Sequence, residues 1–389
     1  MSQKPTPLWK ALLLEHRLPT RHKQKLHKIV IFPSMLKQCI SAHKQHNELI
    51  KNLKHSNKPK VLLDSSLKIY GSRYIFLLSR IFQIAGYDVS VLLETRHGLF
   101  YPLTKKIKCF YDVEGIDKQI FTEPINLTYE LPEDTENYIY FTEEKKDWHL
   151  DKKWKSVIGI DLENQNPYFN PKIKKHLHVY PSDNKKYRHA MVNLFFYPSL
   201  CTTNNFNKVK KLRKSKRKFT FAFFGNYTIS CYLKRKIANL QCRSEIIKKI
   251  KDNLNNLVII KSEKQLKRPI KNKFLLAHEE FRSKQEHWLD ILSETDFFLC
   301  PSGGMILCHN LVESMAVGAI PVTDHPDYYS PKLQHMKNCI VFNEKNMLKV
   351  LNQVLNMKQS QIKKLRKNVI NYYENYLEPN NWVKYILQL

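Results

Sequence analysis

Glycine is scarce in this chain, nine in 389 residues, where roughly 7% is usual. Proline adds only 18, against 42% hydrophobic residues. These figures exclude a collagen-like chain, low-complexity disorder and a coiled-coil rod. Acidic residues are also few, 35 against 65 Lys and Arg, which leaves a formal charge of +30. The eight cysteines contain no CxxC pair, so neither a zinc site nor a disulfide framework is expected, and buried thiols in a reducing compartment fit better. No uncharged apolar run approaches ~18 residues, so no membrane-spanning helix is expected. The opening MSQKPTPLWK lacks the apolar core and cleavage site of a signal peptide. The sequons at Asn126 and Asn226 then read as chance matches.

The positive excess has two readings. It suits a polyanionic partner or an anionic surface. It also suits a Lys-, Asn- and Ile-rich composition produced by AT-rich coding sequence. Residues 1–58 are basic and carry Trp9, Leu12, Leu13 and Leu14 among cations. They form either a face for an anionic membrane or an ordinary helical appendage.

After residue 58 the apolar pattern alternates between strand and helix. Val61–Leu63 reads as a strand, Gly71-Ser72-Arg73 as the start of a helix with Ile75, Leu78, Phe82 and Ala85 on one face, Gly86 as its stop, and Asp88–Leu93 as the next strand. Strand, turn, helix and strand make a βαβ unit, the building block of a parallel sheet. Further strands are expected at Tyr138–Phe141, Val157–Ile160 and His178–Tyr180. The polar, basic stretch 204–218 reads as a linker. A second α/β pattern follows it: strand Phe219–Phe224, turn Gly225-Asn226, a helix over about 230–252, strand Leu257–Ile260, helix Trp288–Leu292, strand Phe297–Cys300, helix His309–Val317 closed by Gly318, and short strands at Ile320–Val322 and Ile340–Phe342.

Six of the nine glycines fall at strand–helix joints: Gly71, Gly86, Gly225, Gly303, Gly304 and Gly318. In an open parallel sheet, ligands bind outside the carboxyl ends of the strands. Gly71, Gly225 and the Gly303-Gly304 pair each follow a strand and precede a helix, where backbone N–H groups can approach a phosphate. Gly86 and Gly318 read as plain helix stops.

The densest stretch is DFFLCPSGGMILCHNLVESMAVGAIPVTDHPDYYSP, residues 296–331. A buried strand ends at Cys300, and Pro301-Ser302-Gly303-Gly304 turns beyond it. His309 and Glu313 share a helix face. Glu313 lies in an otherwise small, apolar helix and must find a partner: a sugar diol, a helix cap or a lysine.

This stretch resembles the donor motif of GT-B glycosyltransferases, and most closely the exostosin-like group, glycosyltransferase family 47. That group has a Cys-Pro-Arg-Gly turn, a helix with Ser-x-Arg-x-x-Glu, Ala-Gly-x-Ile-Pro-Val and an Asp-x-Tyr-x-x-Pro segment. Cys300, Pro301, Gly303, Glu313, Gly318, Ile320, Pro321 and Val322 match; Asp327, Tyr329 and Pro331 echo the last segment. Phe223-Phe224-Gly225-Asn226, with Arg235, is similar to the first strand and phosphate-side helix. The resemblance covers about residues 219–345. Ser302 and Asn310 stand where the group has arginines, so another cation must serve the diphosphate; Arg235, Lys234 and Lys236 are available.

The resemblance implies an α/β GT-B fold with two Rossmann-like domains facing a cleft. Residues 1–58 would be a basic extension, 59–207 the acceptor-side domain, 208–218 a linker, 219–360 the nucleotide-sugar domain, and 361–389 helices returning toward the first domain. Gly225, Asn226, Arg235, Ser302, Gly303, Gly304, His309, Asn310 and Glu313 would bind the donor, and Gly71, Ser72 and Arg73 would face the cleft from the acceptor side. The base for an inverting reaction would come from Asp64, His97 or Asp161; retention is equally open. No cofactor and no metal are implied, since no Asp-x-Asp closes a strand. The expected activity is transfer of a sugar from a nucleotide-sugar to a glycan or glycolipid acceptor. The setting would be surface polysaccharide or lipopolysaccharide synthesis at the cytoplasmic face of a membrane, with no nucleic-acid partner. The competing readings are a basic nucleic-acid binder and a GT-B-like scaffold without activity.

Overall fold

The structure, a computed structural model, describes residues 57–64, 72–92, 126–128, 131–143, 149–161, 170–173, 175–178, 203–227, 241–281, 283–302 and 309–388. It is an α/β protein built on two six-stranded, wholly parallel sheets, the class and the paired Rossmann-like layout that the sequence suggested.

The first sheet contains β1 (Lys60–Asp64), β2 (Asp88–Leu92), β3 (Asn126–Thr128), β4 (Tyr138–Glu143), β5 (Ser156–Asp161) and β6 (Lys175–His178). Their order is β3-β2-β1-β4-β5-β6, the doubly wound arrangement in which strand order reverses between β1 and β4. Helix α1 (Ser72–Ile84) links β1 to β2. It stops at Gly86, whose φ of 85° suits a residue without Cβ. There Gly86 N–H bonds Gln83 O and Tyr87 N–H bonds Phe82 O, both at 2.9 Å, the paired bonds of a glycine-stopped helix.

The second sheet contains β7 (Phe219–Phe223), β8 (Leu257–Ile260), β9 (Ile270–Ala277), β10 (Thr295–Cys300), β11 (Ile320–Thr323) and β12 (Ile340–Val341), in the order β12-β11-β10-β7-β9-β8. All five residues of β7 and all six of β10 are buried, as expected for parallel strands covered on both faces. Asp296 is the exception in chemistry within β10, a carboxylate only 2% exposed. It is answered by Lys271 at 3.0 Å and by Arg366.

Several features differ from the sequence reading, among them β3, which the sequence did not mark, and β6, which occupies Lys175–His178 where His178–Tyr180 was expected. Strand β9 was not anticipated, because its first half, Ile270-Lys271-Asn272-Lys273, is polar. Only Phe274–Ala277 are buried, and the register shifts where β7 and β9 begin to pair. Asn272 takes up the irregularity with a φ of 55°, its N–H bonding Thr220 Oγ1 at 2.9 Å. The stretch read as a linker begins as a helix, α2 (Thr203–Leu212), because Val209 and Leu212 lie three apart and are both buried. Cys242 is in a disulfide, whereas free thiols were expected. Its partner is outside the described residues, since Cys300 and Cys339 are buried free thiols. A pairing between distant positions leaves no spacing signal in the sequence.

Helices α3 (Arg243–Asn253), α4 (Gln285–Ser293), α5 (His309–Ala316), α6 (Met347–Leu355), α7 (Gln359–Tyr376) and α8 (Pro379–Gln388) complete the described α-helices. Among the described residues no helix is long and apolar enough to cross a membrane. Helix α8 packs on α1 of the first sheet, with Trp382 against Phe82 at a centroid distance of 6.5 Å. Trp382 is 1% exposed, so Trp382→Ala is expected to cost about 3–5 kcal/mol, read as a lowered denaturant midpoint. A loss below about 1 kcal/mol would show that this contact contributes little.

Candidate functional site

In each sheet the chain reverses direction of growth at one place, and the strand ends there leave a crevice for a ligand. In the second sheet this place is between β7 and β10, which pair through Thr295–Phe219, Phe297–Phe221 and Phe298–Ala222. Beyond their carboxyl ends come Phe224-Gly225-Asn226 and Pro301-Ser302. Arg243, the first residue of α3, spans the two. One guanidinium nitrogen donates to Asn226 O at 3.1 Å and the other to Pro301 O at 3.3 Å. Its side chain also lies over the Phe223 ring, 5.7 Å from the centroid, and the residue is 3% exposed. Gly225 sits tightly: a Cβ there would be 2.9 Å from Phe223 Cζ.

The β10 turn is held from its other side by Asp324. Ser302 N–H donates to Asp324 Oδ1 at 3.0 Å, and Ser302 Oγ to Oδ2 at 3.4 Å. Asp324 Oδ1 also meets His325 Nδ1 at 2.7 Å. Ser302 was expected to face the donor's phosphates; here it is fully buried and both of its donors point at Asp324, so it fixes the turn. His325 is buried, and its Nε2 has no hydrogen-bond partner among the described residues.

Helix α5 carries Glu313, which is wholly buried. Its Oε2 accepts the indole N–H of Trp288, from α4, at 2.7 Å. The sequence had offered a lysine, a cap or a sugar for this carboxylate, and an indole was not considered. Asn310 is buried and His309 half-buried on the same helix. The helix is anchored at its far end. Gly318, with a φ of 77°, bonds Met315 O at 3.1 Å, and Ala319 bonds Ser314 O at 2.8 Å. Three guanidinium groups then meet successive carbonyls: Arg213 with Ala316 O at 2.8 Å, Arg217 with Val317 O at 2.9 Å and Arg366 with Gly318 O at 3.1 Å. Cations at a helix carboxyl terminus satisfy carbonyls that lack intrahelical partners and complement the dipole.

In the first sheet the reversal is between β1 and β4. Asp64 closes β1, 3% exposed, and Tyr140 of β4 donates its hydroxyl to Asp64 Oδ2 at 2.8 Å. Burial, with the Asp64 carboxylate beside it, pushes the Tyr140 hydroxyl far above the ordinary phenol range, so Tyr140 remains a donor at neutral pH. Trp154 stacks on Tyr140 with centroids 4.3 Å apart and planes 12° apart, and Trp154 Nε1 donates to His149 O at 2.7 Å. Asp161 closes β5, two strands and therefore about 10 Å from β1.

The structure thus brings Gly225, Asn226 and Ser302 to one reversal point and Asp64 to the other. Ser72 and Arg73 open α1 after β1. Gly71, His97, Arg235, Gly303 and Gly304 lie outside the described residues, as do Lys234 and Lys236. Arg243, Trp288, Asp324, His325 and Tyr140 were missed. Arg243 was hidden inside an expected helix over 230–252, where it reads as one more surface cation. Among the described residues no group of three or more His, Cys, Asp or Glu side chains is placed to hold a metal ion.

Residues 204–383 of the chain match the family model of the RXYLT1 C-terminal domain. No curated protein matches the chain in sequence. Among solved structures, a glycosyltransferase from Rickettsia africae is 13% identical with a TM-score of 0.43, over 86% of this chain and 98% of that one. An alpha-glucosyltransferase solved with UDP and a mismatched DNA is 11% identical with a TM-score of 0.41, over 85% of this chain and all of that one. HepE of Anabaena, solved with UDP and glucose, is 9% identical with a TM-score of 0.39, over 85% and 100%.

The Trp288–Glu313 bond is testable without a ligand. In a double-mutant cycle of Trp288→Phe with Glu313→Ala, urea unfolding is expected to show a coupling of about 1–3 kcal/mol. Strictly additive costs would show that the two side chains do not interact.

Proposed function

We propose that this chain is a glycosyltransferase that moves a sugar from a nucleotide-sugar donor to a glycan or glycolipid acceptor. One observation carries the reading. The stretch matching the RXYLT1 C-terminal domain, an exostosin-like glycosyltransferase family, contains both loop ends at the second sheet's reversal point, and the helix bearing Glu313 follows there. In this reading the 219–360 unit binds the nucleotide through Gly225, Asn226, His309, Asn310 and Glu313, and the first sheet presents the acceptor toward a shared cleft. A sugar diol would reach Glu313 by competing with, or adding to, the Trp288 indole.

Departure of a nucleoside diphosphate develops negative charge that preorganised dipoles and cations must stabilise. With Ser302 and Asn310 in place of the family's arginines, that task falls to backbone amides and to other cations, and a metal-independent reaction is our reading of it. Asp64, buried at the first sheet's reversal point and oriented by Tyr140, is the preferred base over Asp161 for activating an acceptor hydroxyl. The acceptor is proposed to be a surface glycan or its lipid-linked precursor, met at a membrane face suited to the basic 1–58 extension.

A thermal-shift panel of nucleoside diphosphates and sugar nucleotides tests the donor assignment. A ligand at about 100 times its Kd contributes about 2.7 kcal/mol, so at least one member should raise the unfolding midpoint by a few degrees, and Glu313→Ala should remove most of that rise. If no member shifts the midpoint of the intact protein, the donor site is misassigned.

A further inference from the structure

Among the described residues no strand or helix lies between the loop ends after β7 and β10 at the reversal point, so something must set their separation. The described structure supplies two fixtures. Asp324 fastens the β10 turn from the β11 side by accepting the N–H and hydroxyl of Ser302. Arg243 fastens the same turn to the β7 loop, donating to Pro301 O at 3.3 Å and to Asn226 O at 3.1 Å. A buried guanidinium suits this task because its planar fork offers several donors in fixed directions, which an ammonium cannot reproduce. The Phe223 ring beneath it limits its movement. Asn226 itself is exposed, so the clip joins a buried turn to a residue open to a ligand.

We propose that Arg243 is a positioning residue for nucleotide binding: it holds the two loop ends at one separation, so that a nucleoside diphosphate meets a site already formed. This rests on the nucleotide-sugar reading above. Arg243 contributes geometry to the site, with both donating nitrogens engaged by backbone carbonyls, and direct charge contact with phosphate is left to other cations. Preorganised sites bind more tightly because less ordering remains to be done when the ligand arrives. Loss of the clip should therefore weaken nucleotide affinity more than it lowers fold stability or the turnover of bound donor.

The experiment measures, by titration calorimetry on the full chain, the affinity for the nucleoside diphosphate that stabilises the wild-type protein most. Arg243→Lys and Arg243→Gln are compared with wild type, with the thermal midpoint of each protein recorded, and KM and kcat for hydrolysis of the matching sugar nucleotide where turnover is measurable. Both variants are expected to stay folded, with midpoints lowered by a few degrees as the two carbonyls lose their donors, and to bind about tenfold more weakly or worse, with the loss in KM rather than kcat. Lysine is expected to give no rescue despite keeping the charge. Wild-type affinity in a folded Arg243→Lys, or rescue by lysine but not glutamine, overturns the proposal, the latter by showing that charge and not geometry matters. If both variants fail to fold, Arg243→Met is added. Unfolding of all three makes Arg243 a residue of fold stability and equally overturns the proposal. If wild type binds no nucleoside diphosphate, the functional reading falls and this inference falls with it, an outcome separate from any comparison among variants.

Discussion

Guanidinium groups bonded to backbone carbonyls are the interaction on which the second half of this protein depends. Arg213, Arg217 and Arg366 close the carboxyl end of α5, and Arg243 joins the ends of β7 and β10. A carbonyl at a helix or strand end that is removed from water must find a donor, and leaving it unpaired costs about as much as a lost hydrogen bond. Arginine can meet such carbonyls on the inside of a loop cluster while its charge is shared with a carboxylate, as Arg366 does with Asp296. The helix that presents Glu313 is thus held at one end by cations and at its middle by an indole. Its position is decided before any ligand arrives.

This changes how the basic excess is understood. A formal charge of +30 invites a search for a polyanion, but several of the arginines are engaged inside the fold. Sequence arithmetic counts charges without knowing which are engaged in pairs. Several lysines are ion-paired as well, Lys208 with Asp290 and Lys218 with Glu294 among them, so the total is a poor measure of the charge left for an anionic surface.

The fold was legible where apolar periodicity was uninterrupted. Strands β1, β2, β4, β5, β7, β8 and β10 could be read because buried parallel strands are short continuous apolar runs. The glycine stops at 86 and 318 could be read because a left-handed residue after a helix favours glycine. Strand β9 was lost because half of it runs along the surface as Lys-Asn-Lys, and α2 because it is mostly polar, with Val209 and Leu212 buried among its described side chains. At the site, Glu313 was legible as a buried carboxylate needing a partner, while its partner was not. Trp288 is distant in sequence, and which side chains meet across two helices is fixed by tertiary packing. The Asp324–His325 pair and Arg243 were invisible for the same reason: their roles are defined by carbonyls and amides that belong to other segments.

Helix α8 belongs to the second half by sequence but touches both, the second through Tyr385 on Tyr376 and Ser330, the first through Trp382 on Phe82 and through Lys175, which bonds Leu387 O. A gene fragment cut between the halves would give one piece a bare indole-bearing ridge and the other the vacant shelf on which that ridge belongs. Each piece would then be adhesive toward its own kind, and mixing the two would be the natural way to recover soluble material. Recombination among relatives carries the same constraint: a donor-side half can be exchanged only together with a compatible surface on α1.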